Sequence, residues 1–131
     1  PGALDGVGVA LPALSRAEKL QKRAARVGFD WPDTAPIFDK IAEEIAELEA
    51  EIARNAKPER IEDELGDLFF AVVNLARRLK ADPEQALRGA CRKFERRFGA
   101  VEAALAARGR DLATCSLAEM ESEWQKVKAS E

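Results

Sequence analysis

The sequence predicts an all-α protein, an antiparallel helical bundle of about five helices, and three observations carry that prediction. Apolar residues recur at intervals of three and four from residue 14 onward, and no stretch alternates with period two. Gly28, Pro58, Pro83 and Gly109 stand at the boundaries of the periodic stretches. Two Ser-x-x-Glu boxes, Ser15/Glu18 and Ser116/Glu119, stand where helices should open.

Taken in order, residues 1–14 (PGALDGVGVALPAL) read as a linker or extended N-terminal arm, and 15–131 as one domain. The Ser15/Glu18 box opens a first helix of about residues 15–27, stopped by Gly28. GFDWPDTAP follows as an irregular connector, with Asp33 placed to cap the second helix. That helix carries Ile37, Ile41, Ile45, Leu48 and Ile52 on one stripe. Asn55, Ala56 and Lys57 make a short turn, and Pro58 suits the first turn of helix three. Helix three carries Ile61, Leu65, Leu68, Phe69, Val72, Leu75 and Leu79, with Phe70 and Val73 away from the stripe centre. A helix apolar around most of its circumference is covered on several sides, and in so small a domain a second subunit is the simplest cover. A homodimer that completes the core is therefore expected. Asp82-Pro83 restarts the chain into helix four, whose Leu87, Cys91, Phe94, Phe98, Val101 and Leu105 form a coiled-coil-like seam. Gly109 stops it, and the Ser116/Glu119 box opens a last helix with Leu117, Met120, Trp124 and Val127.

Composition removes many chemistries. The 131 residues include no histidine, so a Ser-His-Asp triad, a Cys-His pair, an HExxH zinc site and a Glu-x-x-His di-iron bundle are all excluded. With 34% charged and 47% apolar residues the chain suits a soluble globular protein. Its net charge of −3 argues against nucleic acid or an anionic membrane as partner. No run spans a bilayer and no signal-peptide pattern opens the chain. The two cysteines, Cys91 on an apolar stripe and Cys115 ahead of a cap, read as reduced thiols of a cytoplasmic protein. The chain opens at Pro1 and holds its only methionine at 120, which reads as a piece of a longer protein.

What remains is carboxylate. Residues 43–47 read EEIAE and 64–67 read ELGD, so Glu44/Glu47 and Glu64/Asp67 are i,i+3 pairs stacked one turn apart. At 100° per residue, Glu44 and Glu47 lie about 60° and about 120° from the centre of their stripe. Glu64 and Asp67 lie about 80° and about 140° from theirs, in the same rotational sense. Two helices joined by so short a turn run antiparallel, which brings flanks of equal sense to one side. Both pairs then line one groove, or else they are two solvated flanks. Clustered carboxylates need a divalent cation, and hard oxygen ligands alone favour Mg2+ over zinc, copper or iron.

Basic residues accompany them. Lys93 and Arg97 form an i,i+4 pair flanking the seam of helix four, in the same sense as the acids, and Lys128 follows Trp124 by one turn. They either grip phosphates or balance neighbouring glutamates. Asn74, one heptad beyond Asp67, is placed to meet a ribose, a phosphate or a metal-held water, or stays exposed. Phe29 and Trp31 either stack on a base or plug the bundle end, and Trp124 alone would read as core.

With its flanking segments (LDGV, LPAL, KLQKRAARVGFDW, EEIAE, ELGDLFFAVVNLAR, KFERRF, AARG, EWQKVK) the chain resembles the MazG family of the all-α NTP pyrophosphatase superfamily, specifically the C-terminal half of two-domain members. The resemblance implies hydrolysis of nucleoside triphosphates to monophosphate and pyrophosphate, with broad base tolerance and a role in nucleotide-pool housekeeping. It implies Mg2+ on Glu44, Glu47, Glu64 and Asp67, triphosphate contacts from Lys40, Lys93, Arg97 and Lys128, and Trp124 bordering the nucleotide. Glu43 is implied to orient the site or the attacking water. The residues fit such chemistry, with the base either a hydroxide on the metal or a carboxylate, Glu44 or Glu43. No P-loop is present, so side chains and metal must grip the phosphates. Two other readings are a non-catalytic dimerisation or regulatory half of a two-domain protein, and a dUTP-type pyrophosphatase.

Overall fold

The computed structural model describes residues 2–131, and every regular element among them is helical. In order these are α1 (Ala13–Arg26), α2 (Ala35–Ala53), α3 (Pro58–Arg78), α4 (Pro83–Ala107), a 3-10 turn (Leu112–Thr114) and α5 (Leu117–Ala129). None of these helices is long and apolar enough to cross a membrane. The chain divides into two compact units, one reaching Ala86 and the other Leu87–Glu131.

In the first unit α3 packs against both α2 and α1. Helix α1 starts two residues before the expected Ser15. Pro12 takes the N-cap position with φ −52° and ψ 143°, and no side chain caps the helix. Proline's fixed φ suits a helix entry, so the helix draws Ser15 into its first turn and the expected box does not form. It ends at the predicted Gly28, which adopts φ +96°. The arm before it is tied down where the Arg23 guanidinium donates to the Asp5 carbonyl at 2.5 Å. Asp33 accepts from the Ala35 amide at 3.1 Å and so satisfies an open donor of α2.

The α2–α3 turn is fixed twice over. Asn55 adopts φ +55°, and Glu51, buried at the end of α2, accepts from Arg54 at 2.8 Å and Arg60 at 3.0 Å. Burial raises the Glu51 pKa, but the two guanidiniums outweigh it and hold the carboxyl below its ordinary range. This clamp sets the register between the two acid-bearing helices.

The expected stripe of α3 is only partly its core. Ala71, Val73 and Asn74 are buried, whereas Phe69, Val72 and Leu79 are exposed at 57%, 46% and 59%. Having one neighbour on each of two flanks, α3 buries residues toward both and leaves the stripe between them uncovered. On α2, Ile37 is fully buried, while Ile45 and Ile52 are exposed.

In the second unit Val101 and Leu105 are fully buried, each worth about 1.5–3 kcal/mol of hydrophobic stabilisation. Leu87, Cys91, Phe94 and Phe98, expected in the same seam, are exposed. The reason is length: α4 has 25 residues and α5 only 13, so α5 can cover one end of it. The Ser116/Glu119 capping box forms as expected. Both cysteines are free thiols.

Candidate active site

Helices α2 and α3 bring three of the acids together. One carboxylate oxygen from each of Glu44, Glu47 and Glu64 lies within 4.8 Å of the other two. Glu44 is buried, Glu64 half-buried and Glu47 exposed. Asp67 stands outside this tight group, on the wall of an adjoining cavity that Glu44 and Lys40 also line. Glu43 is outside the tight group, its side chain 58% exposed and 3.8 Å from Lys40.

The electrostatics record the crowding. Glu44 raises the Glu47 pKa most, with burial, Glu64 and Glu43 adding to it. Burial raises that of Asp67, helped by Asp63 and Glu44. Lys40 is the local counter-charge, with Nζ 3.0 Å from Glu44 Oε1 and 3.8 Å from Glu43. Its hydrogen bond to Glu44 raises its own pKa. The other Glu44 oxygen, Oε2, is buried and has no hydrogen-bond partner. A carboxylate oxygen without a partner is costly, and a hard cation held among three carboxylates satisfies it. The donor set therefore fits a divalent ion.

The cavity has a volume of about 540 Å³, within the range of small-ligand sites. Phe29 and Trp31 line it without plugging any core, the former 78% exposed. Asn74 lines it as well, and its Oδ1 accepts from Arg77 Nε at 2.9 Å, which leaves its amino group as the remaining donor. Arg77 is braced in turn by Asp30 at 2.5 Å, and that guanidinium lowers the Asp30 pKa.

The remaining candidates lie in the second unit. Arg97 grips Glu131 through Nε at 3.0 Å and Nη2 at 2.7 Å, and its guanidinium sits 5.8 Å from the Trp124 ring centre. Trp124 also packs on Phe94, ring centres 5.6 Å apart. Lys93 and Lys128 are exposed.

Three structural contributors escaped the sequence reading: Gln21, Glu51 and the Asp30–Arg77 pair. Gln21 left a signal, being a polar residue on the otherwise apolar stripe Leu14, Ala17, Gln21 and Ala24 of α1. Glu51 and Arg54 stand at i,i+3, a spacing that was legible. The Glu51–Arg60 and Asp30–Arg77 pairs left no signal, because their partners lie across a turn or are distant in sequence.

The first unit is thus an all-helical fold that sets a carboxylate group fit for a cation beside a ligand-sized cavity. The chain belongs to the MazG nucleotide pyrophosphohydrolase domain family, whose model matches residues 35–101. It is 51% identical, over 98% of its length, to a nucleoside triphosphate pyrophosphohydrolase of Escherichia coli (strain K12), covering 49% of that protein. It is 42% identical over 92% of its length to the nucleoside triphosphate pyrophosphohydrolase/pyrophosphatase MazG of Thermotoga maritima, covering 46% of it. It is also 44% identical, over 98% of its length, to the uncharacterized protein YabN of Bacillus subtilis (strain 168), of which it covers 26%. The chain thus spans about half the length, or less, of these relatives.

Proposed function

We propose that this domain hydrolyses nucleoside triphosphates to a nucleoside monophosphate and pyrophosphate, with Mg2+ on Glu44, Glu47, Glu64 and Asp67 and broad tolerance of the base. The observation that carries this reading is the unpartnered Glu44 oxygen within a three-carboxylate group at the cavity wall. The names of the Escherichia coli and Thermotoga maritima relatives support the reaction class.

When bound, the ion neutralises phosphate charge and acidifies water at neutral pH. The chain's own residues do the rest. Water attacks the α-phosphorus, the bond from that phosphorus to the bridging oxygen breaks, and pyrophosphate leaves with the electron pair. Glu44 or its neighbour Glu43 accepts the proton of the attacking water. Lys40, freed once Glu44 is otherwise neutralised, turns to a phosphate oxygen. Lys93, Arg97 and Lys128 balance the charge that builds on the β and γ phosphates. Asn74 donates its amino group to the nucleotide, and Trp124 borders it.

The acting form in this reading is a cytoplasmic homodimer, in which a second copy covers Phe38, Ile45, Ile52, Phe69 and Val72, all exposed in the single chain. Incubating the protein with each nucleoside triphosphate and Mg2+ and measuring pyrophosphate tests the activity. Release with none of them, from neutral to alkaline pH, would remove it.

A further inference from the structure

The wall of the α1–α3 cavity holds one polar group that the proposed hydrolysis does not use. Gln21, in the middle of α1, is 92% buried, as only 8% of it is exposed. Its Nε2 donates to the Phe70 carbonyl at 2.8 Å. A carbonyl can only accept, so this bond fixes the sense of the amide. Oε1 is left buried with no partner, on a residue that lines the same cavity as Glu44 and Asp67.

A buried acceptor with nothing to accept is a cost that a ligand donor relieves. Its surroundings narrow the donor. Leu20, Phe29, Trp31, Ile37 and Phe70 make the wall largely apolar, which suits a flat, weakly polar ring and not a phosphate. Asn74 stands on the same wall with its carbonyl occupied by Arg77, and so offers the opposite polarity.

We propose that Gln21 is the base-reading residue of the site, its Oε1 accepting an N–H from the edge of the nucleobase. The proposal rests on the nucleotide reading above and deepens it. Each common base carries an N–H on its pairing edge: the amino groups of adenine and cytosine, the N1–H of guanine, the N3–H of uracil and thymine. One fixed acceptor therefore admits all of them, which gives broad tolerance a physical origin. It discriminates against bases whose edge has lost that hydrogen.

Uracil supplies the test, because N3 carries its only N–H and N3-methylation removes it while leaving both carbonyls. The wild-type protein should use UTP about ten- to a hundredfold better than N3-methyl-UTP in kcat/KM, with the difference mainly in KM. Gln21→Met, similar in size and without the acceptor, should lower the use of UTP until the two substrates become equivalent. Calorimetric titration with UMP and N3-methyl-UMP repeats the comparison without turnover. A preference for UMP without hydrolysis of any triphosphate would remove the proposed activity and leave base reading standing. Equal use or equal binding of the methylated and unmethylated forms by the wild-type protein overturns the proposal, whether or not the variant folds.

Discussion

Lys40 and Glu44 form a half-finished ion pair: Nζ stands 3.0 Å from Oε1, while Oε2 is buried without a partner. One turn of α2 thus carries both a carboxylate short of positive charge and the lysine that supplies part of it. Glu44→Gln should therefore abolish pyrophosphate release, a loss of at least about a hundredfold, on the scale of losing a preorganised charged group. Metal-linked stability should vanish with it. Mg2+ at a hundred times its dissociation constant should stabilise the wild-type protein by about 2.7 kcal/mol and leave the variant's melting temperature unmoved. An equal rise in both would relocate the ion.

The crowded acids also set a pH dependence. Glu47 and Asp67 have raised pKa values, so each binds its proton at a higher pH than in the unfolded chain. Without metal their ionisation costs stability at neutral pH, and that cost is relieved as pH falls through the raised values. Metal requires both ionised, so its affinity falls over the same interval. The gap between melting temperatures in Mg2+ and in EDTA should narrow as pH falls from neutral toward the ordinary carboxylate range. A constant gap would show that these two carboxylates hold no ion. Asp30 and Glu51 have the opposite sign, since their lowered pKa values give stability that is lost only in stronger acid.

Arg97 is committed to Glu131 and lies over Trp124. If it serves the triphosphate, Arg97→Ala raises KM about tenfold or more, from the loss of a charge-assisted bidentate contact. Arg97→Lys should recover only part of this, because an ammonium lacks the fork. Steady-state kinetics decide it, and an unchanged KM would make the residue structural.

The uncovered stripe of α3 predicts self-association. Phe69→Glu should turn a dimer into a monomer in sedimentation velocity, because a charge would then sit in an apolar interface. An unchanged sedimentation coefficient would leave that stripe to another partner.

Packing within the first unit has its own signature. Ile37 is 1% exposed and lines the cavity, so Ile37→Ala should cost about 2–5 kcal/mol in denaturant unfolding. A much smaller loss would mean the neighbouring side chains collapse into the space.

The sequence alone determined the helices and most of their ends, and left the convergence of the acids as one of two readings. Periodicity, Gly28, Gly109 and the Ser116/Glu119 box are local signals, and EEIAE and ELGD need only a short turn between two helices to meet. The early start of α1 escaped it because Pro12 already has a backbone conformation suited to the N-cap and stands ahead of Ser15. Only the tertiary structure decided that Asp67 stands apart from the tight group, that Gln21 is buried with a free acceptor, and that Arg77 fixes Asn74. The first two depend on which side chains meet across elements distant in sequence, and no periodicity encodes that. The Arg77–Asn74 bond spans only three residues of α3, but Asp30, far away in sequence, braces the guanidinium that makes it.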